Sequence, residues 1–236
     1  MPAAETPPPE PSRLLSIQVG LPRSMGTAGA ADPMDSAWLS GFVKEPVAGP
    51  VRLGRLGLDG DGQADLDNHG GPEKAALLYA AAHYPAWREE LGLGDLPFGA
   101  FGENLTIAGL AEPDVCIGDT YAIGPVLVQV SQPRQPCWKL ARRWRIKDLP
   151  ARVVRNGRSG WYVRVLEGGA IEPGLAVELL DRPCPEWTVQ RASTVMNHRK
   201  KDRDATAALA ACPLLADEWR EPLLDRVAAL SNAKQG

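Results

Sequence analysis

Glycine and proline constrain this chain more than any other residues. There are 24 and 22 of them in 236 residues, about a fifth of the chain. Each disfavours the interior of a regular element and favours a turn. A body so heavily punctuated is expected to be built from short strands and turns, not from a helical bundle. The runs between the breaks agree. LLSIQVG (14–20) alternates as a half-buried strand does, and PVRLGRLGLDGDG (50–62) reads as a strand with a turn behind it. FGENLTIAG (101–109), DTYAIG (119–124) and VLVQVSQ (126–132) are further β-rich runs. KAALLYAA (74–81) fits strand or helix, and HYPAWREEL (83–91) fits a helix with Pro85 near its first turn. CWKLARRWRIKDL (137–149) has helical spacing and a basic face. GWYVRVLEGG (160–169) and LAVELL (175–180) read as a strand pair.

After Pro183 and Pro185 the pattern changes. TVQRASTVMN (188–197), DATAALAA (204–211) and LADEWREPLLDRVAAL (215–230) have helical spacing, with Pro222 placed to kink or split the last. The expected organisation is a disordered Pro-rich tail at 1–12, a β-rich α+β body at 13–182, a hinge around Arg182–Pro185, and a small three-helix segment at 185–236.

With 44% hydrophobic and 23% charged residues, the composition is that of a globular domain able to bury a core without staples. A formal net charge of -3 calls for neither nucleic acid nor an anionic membrane as partner. No apolar run approaches transmembrane length, and MPAAETPPPEPS lacks the basic and apolar regions of a secretory signal. Cys116, Cys137, Cys184 and Cys212 contain no C-x-x-C pair, which gives no support for a tetrathiolate zinc site or an iron–sulfur cluster. The expectation is a cytoplasmic protein with reduced thiols.

The stretch DGDGQADLDNHGGP (59–72) admits two readings. Forward, Asp59, Asp61 and Asp65 suggest a calcium loop. Neither EF-hand register works, however: the sixth and twelfth positions hold Ala64 and Gly70 counting from Asp59, and Leu66 and Pro72 counting from Asp61. The D-x-D-G-x-x-D pattern occurs once, without the repeat a propeller requires. Backward, His69-Gly70-Gly71-Pro72 offers a histidine beside two glycines that let the backbone approach a ligand. Asp65 and Asp67 then serve as turn residues presenting His69.

A second loop supports the backward reading. In SQPRQPCWKL (131–140), Pro133 and Pro136 hold the approach to Cys137 extended. Cys137 is expected to open a helix, and that N-terminus, with Arg134, Lys139, Arg142 and Arg143 nearby in sequence, biases the thiol toward thiolate, a nucleophile or soft metal ligand. By contrast, Cys116, Cys184 and Cys212 read as small buried hydrophobes.

In order along the chain, H-G-G-P (69–72), F-G-E-N-L (101–105), I-G-D (117–119), V-S-Q-P-R-x-P-C-x-K-L (130–140) and G-W (160–161) resemble the MOSC domain family. The likeness is to its stand-alone bacterial YiiM-like branch. It spans about Leu56 to Leu180, with a tail like that branch's three-helix segment. The resemblance implies a β-barrel-like domain with flanking helices and a molybdopterin-type molybdenum cofactor ligated by Cys137. It implies reduction of small N-hydroxylated compounds, of the hydroxylamino-purine type, to amines. In this reading Cys137 and His69 are catalytic, and Gly70, Gly71, Glu103, Asn104, Arg134 and Lys139 bind the cofactor. Arg134 and Lys139 take its phosphate, with Arg142 behind them. Glu103 and Asn104 read the pterin or the substrate. Pyridoxal phosphate is not expected. No G-x-G-x-x-G follows a strand, so electrons are expected from a separate reductase, docking on the basic face at 142–147. The alternative is a non-catalytic carrier of cofactor or sulfur that uses the same Cys137.

Overall fold

The computed structural model describes residues 11–66 and 69–233. The expected tail at 1–12 lies largely outside that range. Ser12 is described, and it is fixed, its carbonyl accepting from the Val177 N–H at 2.8 Å.

The chain opens with β1 (Arg13–Val19), then the short strands β2 (Arg23–Met25), β3 (Trp38–Ser40), β4 (Glu45–Pro46), β5 (Val51–Gly54) and β6 (Gly57–Leu58). A 3₁₀ turn at Pro72–Lys74 leads into β7 (Ala76–Ala80), α1 (His83–Leu91), β8 (Leu105–Ala108), β9 (Thr120–Ile123) and β10 (Val126–Pro133). Next come α2 (Lys139–Trp144), α3 (Leu149–Asn156), β11 (Trp161–Glu167), β12 (Gly169–Ile171) and β13 (Val177–Asp181). The chain closes with α4 (Val189–Asn197), α5 (Arg203–Ala210) and α6 (Asp217–Asn232).

Eight strands form one sheet in the order β13-β9-β10-β11-β7-β8-β1-β4, antiparallel except for the β7–β8 pair. The sheet curls until β1 meets β13. Arg13 bridges Ala176, and the Leu14 N–H donates to the Leu175 carbonyl at 2.9 Å. Closure removes the unpaired edges that an open sheet exposes. Period-two alternation puts one face inside: Val126, Val128 and Val130 of β10, Trp161 and Val163 of β11, and Leu105 and Ile107 of β8 are fully buried. A second core, under α1 to α3, collects Tyr79, Tyr84, Trp87, Phe101, Leu140 and Val153.

Three readings of the sequence need correction. First, the run 137–149 is not one helix: Arg145 adopts φ 54 and ends α2, and α3 starts at Leu149. Second, β11 and β13 do not pair. β12 intervenes and joins β5, while β13 joins β9. Third, Pro222 does not split α6. A proline forfeits only one helical hydrogen bond, here to the Glu218 carbonyl in the first turn, where solvent can serve it.

The helices after Pro185 share the barrel's core. Trp187, Val189, Val195, Leu209, Trp219 and Leu223 belong to the same hydrophobic cluster as Val128 and Ile117. The Ala216 N–H donates to the Ser131 carbonyl at 3.0 Å, tying the start of α6 to β10.

Candidate active-site cleft

A cleft opens where the 3₁₀ turn, the end of β10 and the loops around residues 40–44 and 62–70 meet. Its empty space is about 600 Å³, counting the part open to solvent. His69, Gly70, Arg134, Cys137 and Lys139 all line it. His69 and Cys137, 68 residues apart in the sequence, are thereby brought together, as the backward reading requires.

Local structure explains the placement of Cys137. The β10–β11 register shifts between Val130 and Gln132, a bulge at Ser131 that re-aims the strand end. The Arg134 N–H then bonds to the Gly160 carbonyl at 3.0 Å and fixes the segment leading to Cys137. Cys137 precedes α2 rather than opening it, and α2 has only six residues. The helix therefore reaches the thiol only through the N–H of its first residue, Lys139. Burial pushes the Cys137 thiol up, but a hydrogen bond with His69, the positive charge of Arg134 and the Lys139 backbone N–H together bring it down to about 7. Near neutral pH a large share is thiolate.

Arg134 is buried. Its Nη2 donates to the Phe101 carbonyl at 3.0 Å, while Nη1 is sealed from solvent with no partner. A buried guanidinium nitrogen left unpaired is costly unless a ligand completes it. Arg134 and Lys139 form no ion pair with a carboxylate among the described residues.

Sequence reasoning missed several wall residues: Phe42, Lys44, Gln63, Lys74 and Tyr162. The loop before Lys44 carries no periodicity or motif to mark it. Tyr162 did carry a signal, since alternation along β11 turns it away from the buried Trp161 and Val163. Lys44 is buried against Asp61; burial pulls its ammonium down, and the Asp61 charge and hydrogen bond oppose that. Asp61 also accepts from the Gly20 N–H at 2.8 Å and from Asn104 Nδ2 at 2.9 Å. This carboxylate is committed to holding the cleft wall, which is what becomes of the forward reading of the Asp loop. Asp67 lies outside the described residues. The His69 N–H donates to the Asp65 carbonyl at 3.0 Å, placing Asp65 in the turn that presents His69.

Other expected ligand-binding residues have structural work instead. Glu103 is fully buried and does not line the cleft. Its carboxylate accepts from the Gly99 and Phe101 N–H groups at 2.7 and 3.1 Å, from the Thr106 hydroxyl at 3.3 Å, and from the Tyr84 hydroxyl. The assignment of Glu103 to pterin or substrate is corrected accordingly. Asn104 lies on the wall, but its amide is spent: Oδ1 accepts from the Leu77 N–H at 3.1 Å, and Nδ2 donates to Asp61. Gly71 does not line the cleft; its carbonyl accepts from the Lys74 N–H at 3.1 Å. Arg142 bonds to the Ser36 and Pro33 carbonyls, lies over Trp138 and does not line the cleft. Asp119 of the I-G-D motif is buried and holds Arg182 through two bonds of 2.9 and 2.7 Å, anchoring the hinge. Gly102 is required by packing: at φ +80, a Cβ there would lie 2.6 Å from the Phe42 ring.

A curled, mostly antiparallel sheet with a cleft at the end of β10 and a helical segment packed on it define the class of fold, and the comparisons name its family. Residues 65–178 match the MOSC domain, and residues 187–230 match the family described as YiiM-like, 3-alpha helix domain. The chain is 41% identical over 213 residues to the uncharacterised protein YflK of Bacillus subtilis (strain 168), covering 90% of this chain and 93% of that one. It is 36% identical over 191 residues to protein YiiM of Escherichia coli (strain K12), covering 79% and 84%. The crystal structure of YiiM from Geobacillus stearothermophilus superposes with a TM-score of 0.77 at 36% identity, over 92% of this chain and 100% of that chain. The chain belongs to the MOSC domain family, in its YiiM-like branch.

Proposed function

We propose that the cleft holds a molybdopterin-type molybdenum cofactor on Cys137 and reduces N-hydroxylated compounds to amines. The observation that carries this reading is a thiol held near neutrality in a cleft where the buried Arg134 Nη1 lacks a partner. The residues fit such a group. The Cys137 thiolate is a soft metal ligand. Arg134 and Lys139 would hold the phosphate, the former through a guanidinium already aimed by the Phe101 carbonyl. When bound, the molybdenum centre supplies the two electrons that cleavage of an N–O bond consumes. The protein's part is binding, orientation and proton supply. The hydrogen bond with His69 favours the ionised Cys137 sulfur, and Gly70 lines the cleft beside it, where a Cβ would lie 2.8 Å from Gln63.

The overall change is R–NHOH plus two electrons and two protons, giving R–NH2 and water. The electrons are proposed to come from a separate protein. A relative from Gibberella moniliformis, 36% identical over 213 residues and carrying the name "Reductase", is consistent with redox chemistry, although this chain spans only 36% of it. The basic run at 142–147 is a poor docking face: Arg143 donates to the Phe42 and Gly99 carbonyls, and Arg145 is paired with Asp32 and Asp35.

The test is metal analysis and turnover. Protein made in a molybdenum-replete host should contain molybdenum and, with dithionite as reductant, convert a hydroxylamino-purine to its amine. Cys137→Ser should lose both while keeping its fold. Bound molybdenum with no amine formed would instead favour the carrier.

A further inference from the structure

We propose that Tyr162 is the acid that protonates the departing hydroxyl in this cleft, a role that rests on the reductive reading above. Alternation along β11 buries Trp161 and Val163 in the barrel and turns Tyr162, half-buried, onto the cleft wall. There it stands in register with Gln132 of β10 and Leu77 of β7.

Four tyrosines are present, and the other three have committed hydroxyls. Tyr79 donates to the Arg158 carbonyl at 3.0 Å, Tyr84 to Glu103, and Tyr121 to Asp119 at 3.1 Å. The Tyr162 hydroxyl makes no hydrogen bond to the protein among the described residues, yet it is not sealed away. The residue lines the cleft. The Lys74 ammonium lies 5.9 Å over the Tyr162 ring. Burial pushes the phenol up to about 12, with Arg134 pulling it down and Cys137 pushing it up. At neutral pH the group therefore carries a proton available for donation. The competing candidate, His69, already shares a hydrogen bond with the Cys137 sulfur.

The step balances as follows. The N–O bond of R–NHOH breaks as two electrons arrive from the reduced cofactor. The oxygen leaves as water, taking the Tyr162 proton. The nitrogen takes its proton from solvent. The tyrosinate, opposed by burial and eased by the Arg134 cation alone, is reprotonated from solvent at once.

Tyr162→Phe in molybdenum-loaded protein, assayed with dithionite and a hydroxylamino-purine, tests the role. The expected result is a kcat about 10²-fold lower, with KM and molybdenum content unchanged. A readout independent of turnover is tetranitromethane treatment of the metal-free protein with peptide mapping, where Tyr162 should be nitrated before Tyr79, Tyr84 and Tyr121. Turnover within about twofold of wild type overturns the assignment. Loss of molybdenum from the variant does so too, by showing a structural role, as does a Tyr162 that resists nitration while the other tyrosines react. Fully loaded wild type that makes no amine overturns the reductive reading, and the acid role with it. An active wild type beside an equally active Tyr162→Phe removes the acid alone.

Discussion

Glu218, in the first turn of α6, forms an ion pair with Lys74 on the cleft wall, so the C-terminal helices supply a carboxylate to the edge of the site. Lys74 is nearly buried while Glu218 is half-exposed. Reversing the charge should therefore act from the helix side. Glu218→Lys sets two cations against each other and is expected to cost about 1–3 kcal/mol. A chain of this size should then melt roughly 3–10 °C lower, measured by calorimetry. An unchanged melting temperature would show that the pair contributes nothing.

Cys137 should alkylate with iodoacetamide in metal-free protein with a midpoint near pH 7. His69→Gln removes a bond that favours the thiolate, so the midpoint must rise toward the ordinary thiol value. Cys116 and Cys184, whose thiols burial pushes upward, should stay unmodified over the same range. A midpoint insensitive to His69→Gln would mean that other groups set the thiol's acidity.

Arg134→Met removes the charge and the unpaired donor together. Molybdenum per folded chain should fall at least about tenfold, because a buried charged contact to an anion is lost. The Cys137 midpoint should rise as well, since Arg134 lowers it. Metal analysis and alkylation read the two effects separately, and retention of full metal content would place the phosphate elsewhere.

Glu103→Gln should behave as a core lesion, not as a ligand variant. It disturbs four donors converging on one buried carboxylate, which is expected to cost about 2–4 kcal/mol. Thermal unfolding should show a fall of roughly 5–10 °C. Molybdenum content of the protein that remains folded should match wild type. Selective metal loss at unchanged stability would return Glu103 to the ligand shell.

Much of the barrel was legible because its strands alternate. Val126, Val128 and Val130 announce a half-buried strand without help from the rest of the chain. The helices after Pro185 were equally readable from their spacing, and Cys137 from the prolines that flank it. The misreadings share a cause: the deciding partner lies far away in sequence. Glu103 resembles a loop carboxylate until the fold wraps Gly99, Phe101, Thr106 and Tyr84 around it. Lys44 and Phe42 lie where no period exists, and tertiary packing alone carries them to the wall. Arg142 and Arg143 looked like a free basic face, but backbone carbonyls from the loops around residues 33–42 claim them.

The seam between Arg13 and Ala176 also bears on how the molecule is made. The first strand to leave the ribosome waits on one side for a partner that is among the last strands translated. Pairing over such a separation is slow, because the loop must close before its contacts reward it. Arg134 and Cys137 are synthesised before the strand that seals that ring, so the cleft they line is completed late in the life of the nascent chain.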